Sequence, residues 1–180
     1  MNRSSGRFVV WGDIHRQRYL TEEGALMRTI DGLPAHILLV HAVVVLVPLT
    51  AVLLALAALW PAARRSLIWL VAALAVVTAV LTPLTVEAGE SLAERFGESE
   101  AVRTHADLGS TMNYFVFPLV VLAGLLLFAH VRDGRGKPLR RPLAAGLAVL
   151  ILIAGVAATV QVYRVGESGA RAVWGVTASD

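Results

Sequence analysis

The five histidines are the residues best suited to chemistry in this chain, which has no cysteine. Imidazole ligates metals and haem iron and titrates near neutral pH. His36 and His41 open a long apolar stretch, and His105 shortly precedes another. His41 lies about 1.5 turns further into its helix than His36, at 1.5 Å per residue. An ionisable group inside an apolar span marks function by default. The two are five residues apart, so they diverge by about 140° around a helix of 3.6 residues per turn and cannot grip one ion from one face. Met112 follows His105 by seven residues, on the same helical face. Glu87 is the carboxylate nearest a span end and is placed to orient an imidazole. Arg164 suits a haem propionate. This donor set fits a non-covalent b-type haem with axial histidine or methionine. Without cysteine there is no covalent haem attachment, thiolate metal site or iron–sulfur cluster held by this chain.

His41, His105 and Glu87 are therefore predicted to lie together, with His36, Met112 and Arg164 as further cofactor-binding candidates. Which metal is bound is not specified. Structural readings stand beside each. His36 suits anchoring at the headgroups, and His41 suits a hydrogen bond to a backbone carbonyl or to Gln161. His105 suits solvation in a polar loop, and His130, beside Arg132, suits the membrane interface.

The elements that must position these residues are membrane helices. Apolar residues make up 57 % of the sequence and charged residues 16 %, against roughly 45–50 % and 25 % in soluble domains. About 20 apolar residues span the hydrocarbon as a helix. Four blocks qualify, near 35–60, 66–86, 114–131 and 142–163. The fold class is thus all-α: an integral membrane four-helix bundle over 31–174, with an N-terminal extension 1–30 and a tail 175–180. Pro48, Pro83 and Pro118 are tolerated in such spans. Ala145, Gly146, Ala154, Gly155 and Ala158 suit close helix contact in the fourth. Between spans two and three lies a short, helical, acidic loop. Ser91 and Glu94 fit a capping box for a helix ending at Gly97, and Ser99 fits the cap of a helix running through His105 into the third span. Gly134, Gly136 and Pro138 mark a tight turn before the fourth.

Arg64 and Arg65 lie in the first connection, and Arg132, Arg135, Lys137, Arg140 and Arg141 in the third. The middle loop holds Arg95 and Arg103 against Glu87, Glu90, Glu94, Glu98, Glu100 and Asp107. The positive-inside rule puts the basic connections in the cytoplasm, so both termini and the 87–113 loop of this multi-pass cell-membrane protein face outside. Arg3, Arg7, Arg16, Arg18 and Arg28 oppose this, though spread over a longer segment. Translation from Met27 would remove the first four, and no cleavable signal peptide is apparent. The net charge of +3 and pI near 9.9 reflect these flanking arginines, without the basic, aromatic-interleaved face of a nucleic-acid binder.

Two stretches resemble a bacterial membrane family of unassigned activity, domain of unknown function 2231. One runs from Asp31-Gly-Leu-Pro-Ala-His36 through His41 to Pro48-Leu-Thr50. The other runs from Gln161-Val-Tyr-Arg164 to Trp174. The resemblance covers about 31–174 and implies a four-helix membrane domain. It also implies association with redox modules such as Rieske domains or cytochromes, since relatives are sometimes joined to them. Many relatives have proline after the first histidine, whereas this chain has Ile37.

The expected function is that of a non-catalytic subunit or scaffold of a membrane complex, in contact with the bilayer and with redox subunits or further copies of itself. The alternatives are a b-type haem or metal-binding electron-transfer subunit, and a small transporter or proton path. Gly-x-Ser-x-Gly, His-Glu-x-x-His and Walker motifs are absent.

Overall fold

The structure is a computed structural model that describes residues 29–30, 33–96 and 99–174. The alternative start at Met27, the rest of the N-terminal extension, Gly97 and the tail lie outside the described residues. Thr29–Ile30 (β1) and Leu33–Pro34 (β2) form a minimal antiparallel pair. Five helices follow: α1, Ala35–Leu59; α2, Pro61–Phe96; α3, Glu100–Ser110; α4, Met112–Gly134; and α5, Arg141–Trp174. Four stretches are long and apolar enough to cross a membrane: His36–Leu59, Pro61–Glu90, Glu100–Gly134 and Arg141–Trp174. In hydrocarbon every backbone polar group needs an internal partner, which the helix supplies. Pro48, Pro83 and Pro118 are all accommodated inside helices.

The bundle is a square. α1 and α4 each pack against both α2 and α5, and α1 and α4 lie on a diagonal. Val47, Leu54, Ile68, Val71, Leu119 and Ile151 fill the centre and are fully buried. Val45, Trp69, Phe117 and Ile153 point outward and are exposed. On a soluble surface that much apolar area would drive association; here it meets acyl chains. Gly155 and Ala158 are buried as the small-residue pattern predicts. A Cβ on Gly155 would sit 3.3 Å from Ala51 Cβ, so α5 approaches α1 closely there. Ala145 and Gly146, by contrast, are exposed.

The connections differ from expectation in two places. Ser91 starts no new helix: α2 runs unbroken from Pro61 to Phe96, carrying the first part of the acidic loop as an extension of the second span. Helical hydrogen bonds already satisfy the backbone there, so a side-chain cap has nothing to add. Arg64 and Arg65 belong to the start of α2, because Trp60 alone separates it from α1. Arg64 donates to Ala57 O at 3.0 Å and Ala58 O at 3.2 Å, capping the end of α1. The Ser99 cap is present, with Val102 N donating to its hydroxyl at 3.2 Å. α3 breaks from α4 at Thr111. Gly136 has φ +70°, the left-handed turn position that glycine tolerates.

Candidate functional site

His36 lies at the start of α1, half-buried against α2. Its Nδ1–H donates to the backbone oxygen of Thr85 at 2.9 Å. A carbonyl only accepts, so Nδ1 carries the proton in this bond and Nε2 is the nitrogen left for another partner. The ring reaches that carbonyl because one turn further along α2 stands Gly89. A Cβ there would be 2.8 Å from His36 Cε1 and 2.9 Å from Nδ1.

His105 repeats the arrangement on other elements. From α3 its Nδ1–H is shared between Val165 O at 3.1 Å and Ser168 Oγ at 3.0 Å, both on α5. Ser168 uses its own hydrogen on Val165 O at 2.8 Å, leaving its oxygen free to accept. Four residues after Val165 stands Gly169, where a Cβ would be 3.0 Å from His105 Cε1. Each histidine thus sits in a cradle made of one helix carbonyl and the glycine four residues later.

The two rings meet edge-on, their centres 6.3 Å apart and their planes at 79°. They border a cavity of about 60 Å³ to which α1, α2, α3, α4 and α5 all contribute. Valines dominate its wall, among them Val40, Val43, Val44 and Val86, and buried Met112 also lines it. Gly109 and Thr82 complete the sides. No carboxylate lines it, and among the described residues no three His, Cys, Asp or Glu side chains gather as a metal site.

The pairing differs from the one predicted. His36, not His41, meets His105. His41 is exposed, and its Nδ1–H donates to Ile37 O at 2.6 Å in its own helix. The wide angle between two residues five apart allows only one of them to face the bundle. Glu87 is also exposed and does not line the cavity. The backbone of Thr85, two residues earlier, orients the imidazole in its place. Arg164 is exposed beside Val165. His130 lies near the opposite end of α4, half-buried. Gln161 is buried and joins α5 to the α3–α4 junction, donating to Thr111 Oγ1 at 2.9 Å and Leu108 O at 3.2 Å.

Spacing arguments about side chains missed the two glycines, since each acts by lacking one. They placed Thr82 and Thr85 at this end of the bundle but did not single out Thr50 and Thr78, which complete a face of buried hydroxyls below the pair. Thr78, Thr82 and Thr85 each donate to the carbonyl four residues earlier, at 2.7 Å. Thr50 Oγ1 meets Thr78 Oγ1 across the α1–α2 interface at 3.3 Å. Beyond that level the core is apolar, through Leu54, Ile68 and Val71.

No curated protein and no solved structure matches the chain. A family model described as "Predicted membrane protein (DUF2231)" matches residues 32–179, which include both histidines, both cradling glycines and all four spans. The chain belongs to this family of membrane proteins.

Proposed function

We propose that this protein is a non-catalytic membrane subunit that holds a bis-histidine metal centre at one end of its bundle and serves a membrane redox assembly. The observation that carries this is the state of the two imidazoles. Each has its Nδ1–H fixed by a backbone carbonyl of a neighbouring helix and keeps Nε2 free. Such a bond to the far ring nitrogen fixes the tautomer and raises the basicity of a metal-ligating histidine. His36 and His105 would be the residues that hold the metal, and their ring centres lie 6.3 Å apart. A metal held between two protein ligands in an apolar wall suits electron transfer better than substrate turnover. By the charge asymmetry of the connections, this end of the bundle faces outside.

A second reading has the same bonds in its favour. Each ties two helices together, α1 to α2 and α3 to α5, so the histidines would serve only as clasps in a scaffold. A proton path has less support, because the hydroxyl face gives way to apolar core below Thr50 and Thr78. Metal analysis of the detergent-purified protein, beside its thermal denaturation, separates the readings. The metal centre predicts bound metal that His36→Ala or His105→Ala abolishes and His41→Ala spares. A metal-free protein in which the same two substitutions only lower thermal stability is a scaffold.

A further inference from the structure

We infer that the end of the bundle opposite the histidine pair is a docking surface for anionic phospholipid headgroups. The histidines play no part in it. Arg64 and Arg65 lie at the start of α2, and five further cations lie between Arg132 and Arg141, with Asp133 the one carboxylate among them. Among the described residues the only ion pair joins Arg171 to Glu167, at the other end of the bundle, so the chain itself neutralises none of these cations. The two groups stand across one opening. Arg64 borders a cavity of about 90 Å³ together with Asp133 and with Pro138 and Leu139 of the α4–α5 connection. Their positive potential therefore adds up over that end.

The surroundings select a lipid as the occupant. Trp60, Trp69 and Phe128 are exposed around the same end, and tryptophan favours the level of the headgroups. Arg65 and Trp69 are both exposed and one turn apart on α2. Phe128 and Arg132 repeat the pairing on α4, with the guanidinium carbon 5.8 Å from the ring centre. In each pair the aromatic ring lies deeper in the bilayer and the cation nearer the end. Cations at that depth meet lipid phosphates, while the acyl chains lie against the exposed apolar flanks of the helices.

The cations are also fixed in advance. Arg64 donates to Ala57 O and Ala58 O and has further N–H donors beyond those two bonds. Arg132 Nε donates to Lys137 O at 3.2 Å, and Lys137 N donates to Arg132 O at 3.0 Å, closing the connection into a defined turn. Arg135, Lys137, Arg140 and Arg141 are exposed on it. Guanidinium groups bind phosphate through paired, charge-assisted hydrogen bonds, and an arrangement set before binding loses less entropy on binding.

Lipid selectivity in a bilayer is the test. The full chain is reconstituted in phosphatidylcholine carrying a trace of spin-labelled phosphatidylglycerol or spin-labelled phosphatidylcholine with the same chains. EPR then gives the fraction of each label held at the protein. Phosphatidylglycerol should be held in clear preference, and the preference should shrink as salt rises from about 0.1 M to 1 M and the Debye length falls from about 10 Å to 3 Å. Each Lys or Arg near an anionic surface contributes about fivefold in binding. The triple variant Arg135→Gln, Arg140→Gln, Arg141→Gln, whose side chains are all exposed, should therefore hold the two lipids nearly alike while its helix content by circular dichroism is unchanged. Arg103→Gln, at the other end, should keep the preference. Equal retention of the two lipids by the unsubstituted protein overturns the proposal and leaves the basic end to some other acidic partner. A preference that survives the triple variant, or that Arg103→Gln abolishes as fully, overturns its placement on these connections.

Discussion

At the scale of single residues, His36 and His41 show how little separates a site residue from a lipid-facing one. Both are histidines near the start of the same apolar helix. Only His36 has a carbonyl with a side-chain-free approach in front of it, at Thr85 and Gly89. Removing one partner of a partly buried hydrogen bond costs about 1–3 kcal/mol, so His36→Ala should lower the thermal midpoint in detergent. His41→Leu should leave it unchanged, because that side chain faces the bilayer. Gly89→Ala should act like His36→Ala, since the new methyl would occupy the place of the ring. Gly169→Ala should be milder, with a closest approach of 3.0 Å against 2.8 Å at Gly89. Gly124→Ala, where a Cβ meets nothing within 4 Å, is the matched control, and a loss there equal to that at Gly89 would contradict the cradle.

At the scale of elements, α2 and α3 set the site. α2 supplies both the carbonyl for His36 and the hydroxyl face beneath it. Thr78 Oγ1 keeps its bond to Leu74 O if Thr50 is replaced, whereas Thr50 loses its partner across the interface if Thr78 is replaced. Thr78→Val should therefore destabilise more than Thr50→Val, and the double variant should cost less than the sum of the two. Chemical denaturation of the four proteins in one detergent measures this directly. α3 depends on its ends, having no buried residue to hold it. Loss of an N-cap hydroxyl costs about 1 kcal/mol, so Ser99→Ala should speed amide exchange over 100–110 while the core of α4 stays protected. Equal exchange in the two proteins would show that the bonds of His105 and Leu108 to α5 secure this helix without the cap.

At the scale of the whole molecule, the prediction concerns orientation. The basic connections carry the charge that holds a loop in the cytoplasm, and the histidine pair lies at the other end. The chain has no cysteine, so single cysteines report without background. Cysteines at Ser66 and Gly134 should resist a membrane-impermeant thiol reagent in intact cells, and one at Ser99 should react. The reverse pattern would place the histidine pair on the cytoplasmic side and change which partners can reach it.

Sequence alone determined the four spans, because hydrocarbon thickness fixes how long an uncharged apolar block must be and each block here meets that length. It also determined the Ser99 cap and the Gly136 turn, both of which depend on neighbours a few residues away. It narrowed the site to one end of the bundle, where His36, His105 and Met112 do converge. Tertiary structure decided the rest. Which of His36 and His41 turns inward depends on the rotation of α1 against α2, and nothing within α1 sets that. The cradles join residues 49 and 60 positions apart through a carbonyl every residue possesses and a side chain glycine lacks. A pattern of side chains cannot register either one. Only packing the helices into a square brings α1 and α3 to opposite sides of one cavity, and only that meeting turns two separate histidines into a pair.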